Sequence, residues 1–171
     1  AIAQGYSVVV VANFLKSKGI RNGIVEIGGE IFAFGKNTVE KKNWIVGIDD
    51  PTQSPEKRTL IAKIELENLG MATSGNYRKV KVDSLTGQKF VHIINPKTGL
   101  SEKSSILSAT VLASKCIDAD GFATAFMIMD LVETKKLLQK RTDLQVLLIY
   151  TDENNQIQQF KTANFEKLII N

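Results

Sequence analysis

Gly23-Ile24-Val25-Glu26-Ile27-Gly28-Gly29-Glu30-Ile31-Phe32-Ala33-Phe34 separates two kinds of α/β architecture. Residues 23–27 read as a strand, Gly28-Gly29 as a turn and Ile31–Phe34 as a returning strand. A dinucleotide-binding βαβ unit needs a strand, then glycine-x-glycine-x-x-glycine, then a helix. Here the glycine spacing is wrong and the next element is again a strand, so a Rossmann site is excluded. The glycine pair keeps two readings, a plain hairpin turn or a place where backbone comes close to a ligand.

The same pattern continues outward. Upstream, Ile2 to Ser17 reads as a helix, with Tyr6, Val10 and Phe14 at four-residue spacing and Gly19 as its stop. Downstream, Trp44–Ile48 reads as a strand and Asp49–Arg58 as a polar loop. Leu60, Ala62, Ile64 and Leu66 alternate like a strand with one buried face. Met71–Val82 and Lys89–Ile94 read as a further pair joined near Thr86-Gly87, and Ile106–Ala113 as a strand. Ile117–Met129 is expected to be helical, with Ala119, Phe122, Ala123 and Phe126 forming its apolar stripe. Thr134–Lys140 is a second late helix. Leu144–Tyr150 pairs with Gln156–Phe160 across Asn154-Asn155. Strands in hairpin order, with helices early and late, predict an α+β fold with a largely antiparallel or mixed sheet.

The 171 residues suit one domain spanning 1–171, and 43% hydrophobic with 23% charged residues is an ordinary globular balance. Twenty-two basic residues against eighteen acidic ones leave +4, too mild a bias to argue for nucleic acid. One cysteine excludes an internal disulfide. One histidine with one cysteine excludes a zinc site of the usual Cys/His type. No apolar run reaches the ~18 residues of a membrane helix. The chain opens on Ala1-Ile2-Ala3-Gln4-Gly5-Tyr6, which already reads as structured sequence. The expectation is that an upstream segment, with any export signal, has been removed or is absent.

Asp120 and Thr124 stand four residues apart on a predicted helix, so a carboxylate and a hydroxyl share one face. Both are hard oxygen donors of the kind Mg2+ or Ca2+ takes. The alternative is that Asp118 and Asp120 complement the helix dipole and Thr124 bonds back to a carbonyl. His92 ends an apolar strand before the turn Asn95-Pro96-Lys97-Thr98-Gly99. It is placed as a general base would be, or as a structural histidine. Ala72-Thr73-Ser74-Gly75-Asn76-Tyr77-Arg78 is either a polar bend or a loop whose hydroxyls and amides hold phosphate while Tyr77 stacks on a ring. Cys116 reads as a small buried hydrophobe rather than a reactive thiol. Lys36, Lys41 and Lys42 read as a solvated hairpin edge.

Five segments occur in an order that resembles the FAD:protein FMN transferases, also called the ApbE or thiamine-biosynthesis lipoprotein family. They are Ala1–Val8, Glu26–Ile31, Ala72–Arg78, His92–Gly99, and Ser108–Val111 followed by Asp118–Ala125. The resemblance covers nearly the whole chain and implies a T-fold-related architecture lacking the family's N-terminal part. It implies Mg2+-dependent transfer of FMN from FAD to a Thr or Ser hydroxyl of a flavoprotein, with AMP released. Its alternatives are FAD hydrolysis to FMN and AMP, or a non-catalytic FAD-binding or structural fragment. By the same resemblance Asp120, Thr124 and a backbone carbonyl near Ala1 would ligate the metal. His92 would be the base, and Gly28, Gly29, Ser74 and Tyr77 would line the nucleotide site. FAD and an acceptor flavoprotein are the implied partners. The implied address is periplasmic, or the outer face of the cytoplasmic membrane, through an anchor outside this chain. Gln4, Val9 and Asn95 stand where the family often has lysine, aspartate and aspartate.

Overall fold

The structure is a computed structural model that describes residues 2–53, 59–75, 80–82, 89–91, 94–96, 98–100 and 104–170. It opens with helix α1 (Ala3–Ser17). Gly19 ends that helix at φ +84°; its N–H bonds to the Lys16 carbonyl and the Ile20 N–H to the Leu15 carbonyl. This is the paired arrangement that satisfies a helix's last carbonyls once the chain turns left-handed. Strands β1 (Gly23–Ile27) and β2 (Glu30–Phe34) follow as the predicted hairpin, with Ile27 opposite Glu30. Gly28 and Gly29 have φ +68° and +103°. A two-residue hairpin turn with positive φ at both positions is the one that matches strand twist, and glycine adopts it without a Cβ penalty.

The rest of the chain is β3 (Trp44–Asp49), β4 (Leu60–Leu66), β5 (Leu69–Gly75), β6 (Val80–Val82), β7 (Lys89–Val91) and β8 (Ile106–Ala113). Helices α2 (Cys116–Phe126) and α3 (Leu131–Lys140) come next. Then follow β9 (Gln145–Thr151), β10 (Ile157–Lys161), the short helix α4 (Ala163–Glu166) and β11 (Ile169–Ile170). Six strands form one antiparallel sheet in the order β1-β2-β5-β8-β9-β10. A second sheet runs β11-β4-β3, and β6 pairs with β7. The α+β expectation therefore holds, with antiparallel pairing throughout.

Side-chain alternation explains the layering. On β8, Ala109, Val111 and Ala113 face α2, packing with Ala119, Ala123 and Phe126, while Leu112 joins the opposite cluster. On β9, Val146 and Leu148 lie on the helix side, and Leu147 and Ile149 on the other, against Val46, Ile64, Leu66 and Phe165 of the smaller sheet and α4. Successive strand residues point to opposite faces, so a strand covered on both faces is mostly apolar, as β8 and β9 are; the buried exceptions on β8 are Ser108 and Thr110, whose hydroxyl meets Thr73. The sheet is sandwiched between helices and a second sheet.

Two expectations change. Met71–Val82 is not one strand: β5 ends at Gly75, and β6 begins at Val80. β5 belongs to the central sheet, hydrogen-bonded to β2 and β8, and only β6 pairs with β7. In α1, the Tyr6, Val10, Phe14 series that marks the helix in sequence lies on its exposed side. The buried face is Gly5, Val8 and Ala12. Close approach is the reason: a Cβ on Gly5 would sit 2.5 Å from the Cys116 carbonyl oxygen, so only small residues fit between α1 and α2.

Candidate functional site

The first turn of α2 is wedged between α1 and β5. A Cβ on Gly70 of β5 would fall 2.5 Å from the Cys116 Cα, and one on Gly5 of α1 would fall 2.8 Å from the Asp120 Cβ. The missing side chains let three backbones meet, and Cys116 is fully buried where they do, its Sγ 3.7 Å from the Met71 carbonyl. Burial, followed by the charges of Glu30 and Asp120, pushes the Cys116 thiol up to about 12. It is a packing residue, as its sequence position suggests.

Asp120 lies one turn into α2 and is 4% exposed. Its Oδ2 accepts a hydrogen bond from the Gly5 N–H at 2.9 Å. That N–H is one of the four at the start of α1 that no intrahelical carbonyl can reach, and Ile2 offers no side-chain cap. Asp120 therefore caps a helix 115 residues away, with its carboxylate at the positive end of α1. The simpler reading, an aspartate complementing its own helix, fits Asp118, which is exposed in the first turn of α2.

Thr124, half-buried one turn further along α2, has its Oγ1 3.4 Å from Ser74 Oγ on β5. Behind that pair, Thr73 and Thr110 share a 2.9 Å hydroxyl contact between β5 and β8. The exposed Gly28-Gly29 turn reaches the same neighbourhood: a Cβ on Gly28 would overlap the side-chain amide of Gln4, the residue before Gly5. Gly28–Gln4, Gly5–Asp120 and Thr124–Ser74 thus link the β1–β2 turn, the start of α1, the exposed edge of α2 and the end of β5. Of the residues predicted for the site, Ser74 meets Thr124, one helical turn from Asp120, and Gly28 meets Gln4, the neighbour of the Gly5 that bonds Asp120, while a Cβ on Gly29 would meet nothing. His92, Tyr77 and Ala1 lie outside the described residues. The predicted turn after His92 is present at its described positions, with the Asn95 N–H bonded to the Leu100 carbonyl and the Gly99 N–H to the Asn95 carbonyl.

Glu30 is the residue that sequence reasoning missed. It is 7% exposed at the start of β2, and its Oε2 is buried without a hydrogen-bond partner. Burial, then the charge of Asp120, raises its carboxyl from 4.5 to about 7. A signal was available: Glu30 leads directly into Ile31-Phe32-Ala33-Phe34, a strand apolar on both faces, so a side chain entering that strand enters the core. Among the described residues no group of three or more His, Cys, Asp or Glu could hold a metal. Any cation taken here would rely on hydroxyl and carbonyl oxygens beside Asp120. A carboxylate, a hydroxyl one helical turn on and an unpartnered buried carboxyl oxygen fit a hard cation such as Mg2+ and not a soft one.

The comparisons with known proteins speak to the family and the fold. The ApbE family model matches residues 1–148. A FAD:protein FMN transferase of Haemophilus influenzae is 40% identical over 169 residues, 98% of this chain and 47% of its own length. One from Vibrio cholerae is 34% identical over 168 residues, 98% of this chain and 48% of its own. Among solved structures, the flavin transferase ApbE from Vibrio cholerae superposes with a TM-score of 0.79 at 33% identity, covering 98% of this chain and 50% of that one. The ApbE protein from Thermotoga maritima gives 0.81 at 25% identity, covering 99% and 52%. The chain spans about half the length of the curated relatives it matches. With an antiparallel α+β fold shared with these structures and a family match across most of its residues, the chain belongs to the ApbE family.

Proposed function

We propose that this chain provides the cation-binding and flavin-nucleotide side of a Mg2+-dependent FMN transfer. FAD would be the donor, a Thr or Ser hydroxyl of a flavoprotein the acceptor, and AMP the product released. The observation carrying this reading is the pairing of Asp120, oriented by the Gly5 N–H, with Thr124, oriented towards Ser74, in the fold of the flavin transferases.

Asp120 and Thr124 would hold the cation, with a carbonyl near Ala1 as a further oxygen by family resemblance. When bound, Mg2+ supplies positive charge beside the pyrophosphate oxygens. The chain's own residues position the reactants. The Gly5 N–H fixes one carboxylate oxygen of Asp120, while its Oδ1 accepts nothing from the described residues. Gly28 and Gly29 present bare backbone to the nucleotide, and Ser74 offers a hydroxyl. The bond formed joins the acceptor oxygen to the FMN phosphorus, and the bond broken is the one from that phosphorus to the oxygen that leaves with AMP. His92 would take the proton from the acceptor hydroxyl. By the same reading the enzyme works outside the cytoplasm, held by an anchor beyond this chain.

Mass spectrometry of a target flavoprotein domain incubated with the chain, FAD and Mg2+ tests this. A mass gain of one FMN, lost in Asp120→Ala and in His92→Ala, is the expected result. Free FMN and AMP without adduct would replace transfer by hydrolysis, and intact FAD retained on the chain would leave binding alone.

A further inference from the structure

Two carboxylates are buried among the described residues, and they are not equally provided for. Asp120 has the Gly5 N–H, whereas Glu30 Oε2 accepts nothing. A buried charged acceptor without a donor lowers the stability of the fold. A native structure that keeps one marks a place completed by something else, such as a water or an ion.

Strand alternation shows where Glu30 points. On β2, Ile31 and Ala33 join the cluster beneath the smaller sheet, while Phe32 and Phe34 pack with Val8 and Ala12 of α1 and Cys116 of α2. Glu30 precedes Phe32 by two residues and shares its face. It also closes the Gly28-Gly29 turn, opposite Ile27, and Gly28 lies against Gln4 at the start of α1. The carboxyl therefore sits beneath the first turns of both helices, where the charge of Asp120 acts on it. The candidate cation site has one carboxylate, Asp120, and one hydroxyl, Thr124. Mg2+ gives up its waters reluctantly and keeps several of them beside one or two carboxylates. Groups that accept hydrogen bonds behind the ligands change metal affinity by roughly 10–100-fold.

We infer that Glu30 is a positioning residue of the cation site: from behind Asp120, its Oε2 accepts hydrogen bonds from the hydration shell of a cation held at Asp120 and Thr124. The inference rests on the cation part of the proposed function and not on the transfer step.

Titration calorimetry of Mg2+ into the chain at pH 8 tests it. Glu30→Gln keeps the size and one acceptor oxygen and loses the charge. It should weaken Mg2+ binding by roughly tenfold or more, while its melting temperature without Mg2+ stays at or above that of the unaltered chain. A carboxyl with only a structural role would move the melting temperature and not the affinity. Glu26→Gln removes the same charge from the same hairpin, at an exposed position on the face away from the helices, and should change the affinity by less than about twofold. The inference is overturned if Glu30→Gln binds Mg2+ as the unaltered chain does while Asp120→Ala does not, which leaves the cation site standing without Glu30. It is overturned equally if Glu26→Gln weakens binding as much, or if the loss of affinity comes with a lower melting temperature in the absence of metal. An unaltered chain that takes no Mg2+ defeats the cation reading and this inference together. Weakened binding in a chain that transfers no FMN supports the role of Glu30 and counts only against the transfer.

Discussion

Two helices in this molecule have their first amides met by an aspartate, and the two arrangements differ in reach. At α3, Asp130 occupies the position just before the helix and accepts from the Val132 and Glu133 N–H groups at 2.7 and 3.3 Å. The contact is exposed and local. At α1, the corresponding position is Ile2, which caps nothing, and the aspartate that serves is Asp120 on α2, buried and 115 residues away. A local cap stabilises its own helix and little else. A borrowed cap ties two helices together and fixes the orientation of a buried carboxylate between them.

The most damaging way to break the borrowed cap is to push the helices apart. Gly5→Ala places a Cβ 2.5 Å from the Cys116 carbonyl oxygen, with backbone that cannot step aside. It should destabilise the fold by about 3 kcal/mol, measured by urea denaturation, the upper end for overpacking. Asp120→Ala removes the acceptor and leaves a buried amide unpaired, a loss of roughly 2 kcal/mol. The same variant should abolish any rise in melting temperature on adding Mg2+, read by differential scanning fluorimetry. Loss of stability with the Mg2+ response intact would remove Asp120 from the proposed metal site.

Glu30→Gln sharpens the comparison from the other side. Folding raises the Glu30 carboxyl from 4.5 to about 7, so the native state binds its proton more tightly than the unfolded chain does. Native stability should then fall as pH rises from about 4.5 to about 7, with the full penalty above that window. Glu30→Gln should flatten this part of the stability-versus-pH curve and gain roughly 1–2 kcal/mol at pH 8. An unchanged curve would mean that the buried carboxyl is not charged against Asp120. Asp130→Ala is the smallest effect. It should cost about 1 kcal/mol, frays only α3, and leaves any Mg2+ response untouched.

The same contrast explains what the sequence made legible. The Gly28-Gly29 hairpin was readable because turn chemistry and strand periodicity are local, and Asp120 with Thr124 because four-residue spacing on a helix is local too. Even the local cap was half missed: the apolar pattern places α3 from Thr134, whereas Asp130 with Glu133 three residues on carries the capping signal and starts it a turn earlier. Glu30 escaped because its burial depends on the layers that cover β2, and the one local sign of them is the apolar run Ile31–Phe34 that it leads into. The buried side of α1 escaped for a similar reason. The largest apolar residues mark a helix but not the face that packs: here Gly5 lets the α2 backbone come close, and Val8 and Ala12 pack with Val25, Phe34 and Cys116. The final short elements, α4 and β11, carry too few residues for any period to show.

The bond from the Gly5 amide to Asp120 also sets a timetable. During synthesis the start of α1 leaves the ribosome 115 residues before its acceptor is made, an interval of roughly 6–23 s at ~5–20 residues per second. Throughout that time the nascent helix has an open end and an oily flank, and nothing this chain has yet produced can close the first. Helix α1 is thus an element that gains from a chaperone's cover, and the corner it shares with α2 can be assembled only after Asp120 has been made.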